Sequence, residues 1–205
     1  TVKRAAEQAI VRGDTPGAVV LIGRGDETLL HEAYGERMVA PEHRPMEPDT
    51  VFDLASVTKP VATATVFAQL MERGRVGLRD RVAHWLPEYR GPGRDRATLW
   101  HLLTHSSGLP AHKNYPDFLG WDMPRTRRRP ATVSDICRLP PQYPLGQGFT
   151  YSCLGFILLT SVIEAAAGQP LDRCFREWVA RPLGLRDTSF NPPPTRQARC
   201  AAKIA

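Results

Sequence analysis

The spacing of apolar positions changes several times along the chain, and each change predicts a different element. Residues 2–12 (VKRAAEQAIVR) follow a helical period that stops at Gly13. Residues 16–37 (PGAVVLIGRGDETLLHEAYGER) hold two β-rich runs around Gly25 and Asp26, which predicts an antiparallel hairpin. A polar, proline-rich connection from Pro41 to Pro48 leads to Val51, Phe52, Asp53 and Leu54. From Ser56 the period becomes helical, with Val57, Val61, Ala64, Ala68 and Met71 on one face and Gly74 as the stop. Ser56 is placed to cap this helix, and Pro60 is tolerable because it falls in the first turn.

Residues 80–190 read as helices and loops. Thr98 caps LWHLLTH, which ends at Ser107-Gly108, and residues 132–139 form a short helix stopped by Pro140-Pro141. Residues 153–167 (CLGFILLTSVIEAAA) make a strongly apolar helix ended by Gly168, followed by another over 171–179. One helix, a hairpin and a block of helices indicate an α+β chain. A two-stranded hairpin is marginal alone, and no obvious strand partner follows before Ala205. The expectation is therefore an incomplete sheet in the N-terminal part of a longer protein.

Composition removes some classes. The chain has 205 residues, 42% hydrophobic and 23% charged, as globular proteins do. No run approaches the roughly 20 apolar residues of a membrane-spanning helix, and no signal peptide is visible. The net charge of +6 raises nucleic acid as a partner. Its densest run, Arg125 to Arg129, lies in what reads as a proline-flanked, solvated loop without interleaved aromatics, so nucleic acid is not expected. Cys137, Cys153, Cys174 and Cys200 form no Cys-x-x-Cys pair, which speaks against structural zinc and leaves disulfides open.

Two short motifs carry candidate chemistry. Ser56 and Lys59 are three apart at a helix start, so a hydroxyl and an amine share one face. Serine needs a neighbouring base to become a nucleophile. A partly desolvated Lys59 near a helix N-terminus is expected to have a lowered pKa and to accept that proton. Tyr151 and Ser152 directly precede the apolar helix, where a phenol and a hydroxyl can project into a cleft and pass the proton to a leaving group. Each motif alone also fits a capping serine with a surface lysine, or a capping serine with a packing tyrosine. His101 and His105 are four apart, but no Glu follows His101 and no third ligand is evident, so packing or capping is expected and no metal or other cofactor.

Taken together, the segments resemble one family. FDLASVTKP (52–60) is similar to the nucleophile segment of class C β-lactamases, D-Ala-D-Ala carboxypeptidases and related esterases. The likeness continues through LRDRVAHWLPE (78–88), WHLLTHSSGLP (100–110), FTYSCLGFILLTSVIEAAAG (149–168) and RPLGLRDTSF (181–190). This resemblance to serine β-lactamases and penicillin-binding proteins implies an acylated Ser56, an activating Lys59 and Tyr151 as general acid and base. It implies hydrolysis of an ester or amide, such as a cell-wall peptide, a small ester or a β-lactam. The fold implied is an antiparallel sheet flanked by helices plus an all-helical lobe. Residues 1–75 would start the α/β lobe, 76–190 would form the helical lobe, and 191–205 would return towards the sheet.

The same resemblance favours a periplasmic or extracellular location. Cys153 stands where the family pattern has Asn or Asp, so it and Ser152 become candidate substrate-positioning residues, with Lys59 orientation or substrate contact altered. The family's third motif, Lys-Thr-Gly or His-x-Gly, belongs on a strand beyond residue 205, and without it this stretch alone is expected to be inactive. An alternative is a catalytically degenerate member that binds peptidoglycan or a partner protein without turnover.

Overall fold

The computed structural model describes residues 1–115 and 124–202. Two compact units divide the chain: Thr1–Ala55 with Asp187–Ala205, and Ser56–Arg186. Ser56 and the helix after it fall in the second unit.

In the first unit, helix α1 (Val2–Val11) packs on an antiparallel sheet of order β1-β2-β3. Strands β1 (Gly17–Arg24) and β2 (Glu27–Met38) pair from Gly17↔Gly35 to Arg24↔Glu27 around Gly25, as the hairpin reading requires. Gly35 has φ 70°, and a β-carbon there would lie 2.3 Å from the Pro16 carbonyl oxygen. Only glycine admits this approach. The sheet has a third strand that the proline-rich connection concealed: β3 (Arg44–Pro45) pairs with β2 through Glu36↔Pro45. Pro45 is acceptable there because an edge strand can leave one residue without a ladder N–H. Residues 199–202 add to the same unit: Val51 N donates to the Arg199 carbonyl at 3.0 Å, and Ala202 N to that of Arg37 at 2.8 Å.

The second unit is built around α6 (Cys153–Ala167). Leu154, Leu158, Leu159, Val162 and Ile163 are all at most 1% exposed. A helix apolar on every side must be surrounded, and α6 packs against α2 (Thr65–Glu72), α3 (Val82–Trp85), α4 (Leu99–Leu103), α5 (Arg125–Arg138) and α7 (Leu171–Phe175). Gly168, at φ 69°, ends α6 in the left-handed conformation, as its position in the sequence suggests. Among the described residues, no single helix is long and apolar enough to cross a membrane. All four cysteines are free thiols.

Three local expectations change. The arginine run is not loop: it begins α5, whose span contains Pro130. Arginine is a strong helix former, and the proline is absorbed within the helix instead of delimiting it. The buried face of α2 and the turn before it is Ala62, Thr63, Val66, Phe67 and Leu70, whereas Val57 is 52% exposed. Two faces of this segment have apolar helical spacing, and the bulkier one, with Phe67 and Leu70, is buried. Ser56 does not cap a helix: it sits in a 3₁₀ turn (Ala55–Val57), followed by a π-helical turn (Lys59–Ala64).

Candidate active site

The turn that carries Ser56 is tightly specified. Asp53 Oδ1 accepts from Ala55 N at 2.8 Å, and Ala55 holds φ 43°, a left-handed conformation unfavourable for a residue with a β-carbon. One helical turn on, Lys59 opens the π turn, and the Thr65 hydroxyl donates to the Pro60 carbonyl at 2.9 Å. Single π turns within helices recur at functional sites.

Lys59 Nζ donates to Ser56 Oγ at 3.1 Å and to Cys153 Sγ at 3.5 Å. It also lies 4.8 Å from the centre of the Tyr151 ring and 5.8 Å from that of Phe156. Lys59 and Ser56 both act on the Tyr151 phenol and pull its pKa down. The structure thus brings Ser56, Lys59, Tyr151 and Cys153 together.

The charges differ from the sequence expectation. Burial, the largest single influence on Lys59, pulls its pKa down, but hydrogen bonds to Tyr151 and Cys153 outweigh it and leave the net shift upward. That direction favours the ammonium form of Lys59, whereas the sequence reading expects a lowered pKa. Tyr151 moves the opposite way: hydrogen bonds from Lys59 first, then Ser56, lower the phenol. The lowered phenol favours loss of its proton, with the ammonium stabilising the resulting phenolate, and that oxygen can then accept a proton.

Ser152, a candidate substrate-positioning residue in the sequence, has its hydroxyl turned into the protein. It is 1% exposed, its hydroxyl donates to the Pro110 carbonyl at 2.6 Å, and it accepts from Gly155 N at 3.2 Å as the cap of α6. Its oxygen is committed to protein groups on both sides. Ser152→Ala is expected to cost about 1–3 kcal/mol in a urea melt, from the lost cap and an unsatisfied carbonyl. Cys153 follows as the first residue of α6, and its N–H donates to the Ala111 carbonyl at 2.8 Å.

Two histidines that share helical spacing part company. His101 completes a capping box with Thr98, its Nδ1 lying 3.1 Å from Thr98 N, which accounts for the capping role. His105 lies beyond the end of α4 and joins the site from behind: its Nδ1 accepts from Ser152 N at 3.0 Å, and its ring is 4.7 Å from that of Tyr151. Sequence reasoning expected packing or capping for both. The signal available was only the position of His105 past the helix, next to turn-forming Ser106, Ser107 and Gly108.

Comparison with known proteins gives this geometry a family. The beta-lactamase family profile matches residues 2–204. The chain belongs to the beta-lactamase family. This beta-lactamase-family chain is 36% identical over 204 residues to esterase EstB of Burkholderia gladioli, covering 90% of the chain and 49% of the esterase. It is 30% identical over 191 residues to an N-acetylmuramyl-L-alanine amidase of Bacillus subtilis (strain 168), covering 86% of the chain and 43% of the amidase. Among solved structures it is similar to EstCE1, described as a hydrolase with promiscuous acyltransferase activity. That match has a TM-score of 0.81 at 30% identity and covers 98% of the chain and 54% of EstCE1. The chain thus spans about half the length of each of these relatives.

Proposed function

We propose that this site cleaves an ester or amide through an acyl-Ser56 intermediate. The observation that carries the reading is Lys59 Nζ 3.1 Å from Ser56 Oγ and 4.8 Å from the centre of the Tyr151 ring. In the first half-reaction Tyr151, ionised beside the Lys59 ammonium, takes the Ser56 proton on its phenolate oxygen while Oγ bonds to the substrate carbonyl carbon. The carbonyl π pair moves to oxygen, then returns as the bond to the leaving group breaks. The leaving oxygen or nitrogen takes the proton from Tyr151. In the second half, water gives a proton to the Tyr151 oxygen and attacks the acyl carbon; as the bond to Oγ breaks, Ser56 takes that proton back from Tyr151. Lys59 remains an ammonium throughout, stabilising the charge on the phenol oxygen. A charge held in place before the reaction needs no reorganisation during it.

Ester and amide substrates both have support in relatives named for each, and an acyl intermediate suits a neighbour described as an acyltransferase. The Tyr-Ser-x-Leu-Gly-Phe sequence (151–156) resembles esterase- and peptidase-like members of the family more than dedicated β-lactamases, and that resemblance favours small esters and cell-wall peptides. Cys153 in place of the family's amide or carboxylate motivates the second reading, a binder without turnover. The natural full-length protein separates the two when treated with a fluorophosphonate probe. Mass spectrometry is expected to find the adduct on Ser56 and none in Ser56→Ala. An unlabelled native protein would favour the binder, and a label elsewhere would remove Ser56 from the reaction.

A further inference from the structure

We infer that His105 is a positioning residue for this reaction, holding Tyr151 against Lys59 and Ser56 only while its own ring is neutral. The inference rests on the acyl-Ser56 reading and adds to it a group that does not touch the substrate.

The geometry is a clamp on both neighbours of Tyr151. The Ser152 N–H donates to His105 Nδ1 at 3.0 Å, and the Thr150 N–H donates to the His105 carbonyl at 3.0 Å. One residue thus binds the main chain immediately before and immediately after the phenol. A third bond, from the Tyr143 hydroxyl to the same carbonyl at 3.2 Å, fixes the clamp from outside. The ring itself is packed on three sides: Tyr151 at 4.7 Å, Phe156 at 5.1 Å, and Phe149 edge-on at 5.9 Å. His105 adopts φ 57°, and an unfavourable conformation of this kind persists only where surrounding contacts enforce it.

The bond from Ser152 fixes the protonation state. A backbone N–H is a donor only, so Nδ1 must offer a lone pair and the ring proton must reside on Nε2. Protonation of Nδ1 would oppose two donors and release the main chain at Ser152. Of the titratable groups around the ring, Lys59 is the one that discourages that charge. Lys59, on the π turn, is a cation, and Tyr151 stands before α6. Cys153 lies in the first turn of α6, Tyr143 is engaged at the carbonyl, and His101, on α4, is held by Thr98. Among the described residues no carboxylate contributes to the charge balance at His105. Burial first, then Lys59, lowers its pKa below the ordinary 6.5. The neutral clamp is therefore fully present above pH 6.5 and is lost as pH falls through the lowered value.

The test is kcat/KM for a p-nitrophenyl ester against pH, measured on the natural full-length protein, its Ser56→Ala control, and His105→Asn and His105→Phe. Asparagine offers a non-titrating acceptor near the place of Nδ1, and phenylalanine keeps the ring packing but no acceptor. His105→Phe is expected to lose about 10- to 100-fold in kcat with little change in KM. His105→Asn should recover most of that loss and flatten the acid limb below pH 6.5. In the unmutated protein, ¹⁵N NMR should show His105 as the Nε2–H tautomer, titrating at the midpoint of the acid limb; this reading holds even where a variant folds poorly. Wild-type kcat and an unchanged acid limb in folded His105→Phe would overturn the inference, as would an Nδ1–H tautomer. Those results would leave labelled Ser56 standing, whereas activity retained in Ser56→Ala would overturn both readings.

Discussion

Tyr151→Phe in the natural full-length protein is expected to lower kcat/KM for an ester by about 10²–10⁴-fold, the usual contribution of a positioned acid–base group. The substitution removes one oxygen. The ring keeps its contacts with His105 and Lys59, and the residue is 45% exposed, so a thermal melt should barely move. The effect therefore reports chemistry, not folding. A second consequence follows for Lys59. Its raised pKa depends on the hydrogen bond to the phenol, while burial alone would lower it. Without the phenol, burial is opposed only by the thiol of Cys153, and the Lys59 pKa should fall. Residual activity in Tyr151→Phe should then titrate as an amine losing its proton, at a lower pH than Lys59 does in the unmutated protein. A loss smaller than tenfold would take Tyr151 out of the proton path and return the role of base to Lys59.

Much of this site was legible because its chemistry is local in sequence. Ser56 and Lys59 meet through the geometry of a single turn, and Tyr151 is placed by the start of the most apolar helix in the chain. Family resemblance joined segments that spacing alone left ambiguous. What stayed hidden depends on contacts between distant segments. The direction of the Lys59 shift is decided by Tyr151 and Cys153, more than 90 positions away. His105 acts through backbone groups of residues 150 and 152, and a residue's carbonyl or ring nitrogen leaves no trace in composition or periodicity. Ser152 shows the converse. Its hydroxyl sits beside reactive groups in the sequence, yet the Pro110 carbonyl and the Gly155 N–H enclose it. In the fold, the hairpin and α6 could be read from their periods. Strand β3 and the first half of α5 could not, because prolines there suggested breaks that the surrounding structure accommodates.

The same distinction governs the largest expected stability effect, Leu158→Ala. Leu158 is 0% exposed in the middle of α6, the helix that the rest of the helical unit surrounds. Its truncation should destabilise by about 2–5 kcal/mol, the range for large-to-small changes in close-packed cores, measured by urea denaturation. Leu158→Met, nearly equal in volume, should cost less than about 1.5 kcal/mol. Val57→Ala provides the contrast. Periodicity placed Val57 on a buried face, but at 52% exposure its loss should stay within about 0.5 kcal/mol. A cost for Val57 near that of Leu158 would mean that the segment after Ser56 packs through its other apolar face. Lys59 would then be turned away from Cys153 and Tyr151, since one helix segment cannot present both faces to α6. The stability comparison therefore tests, without any substrate, the same orientation on which the proposed chemistry depends.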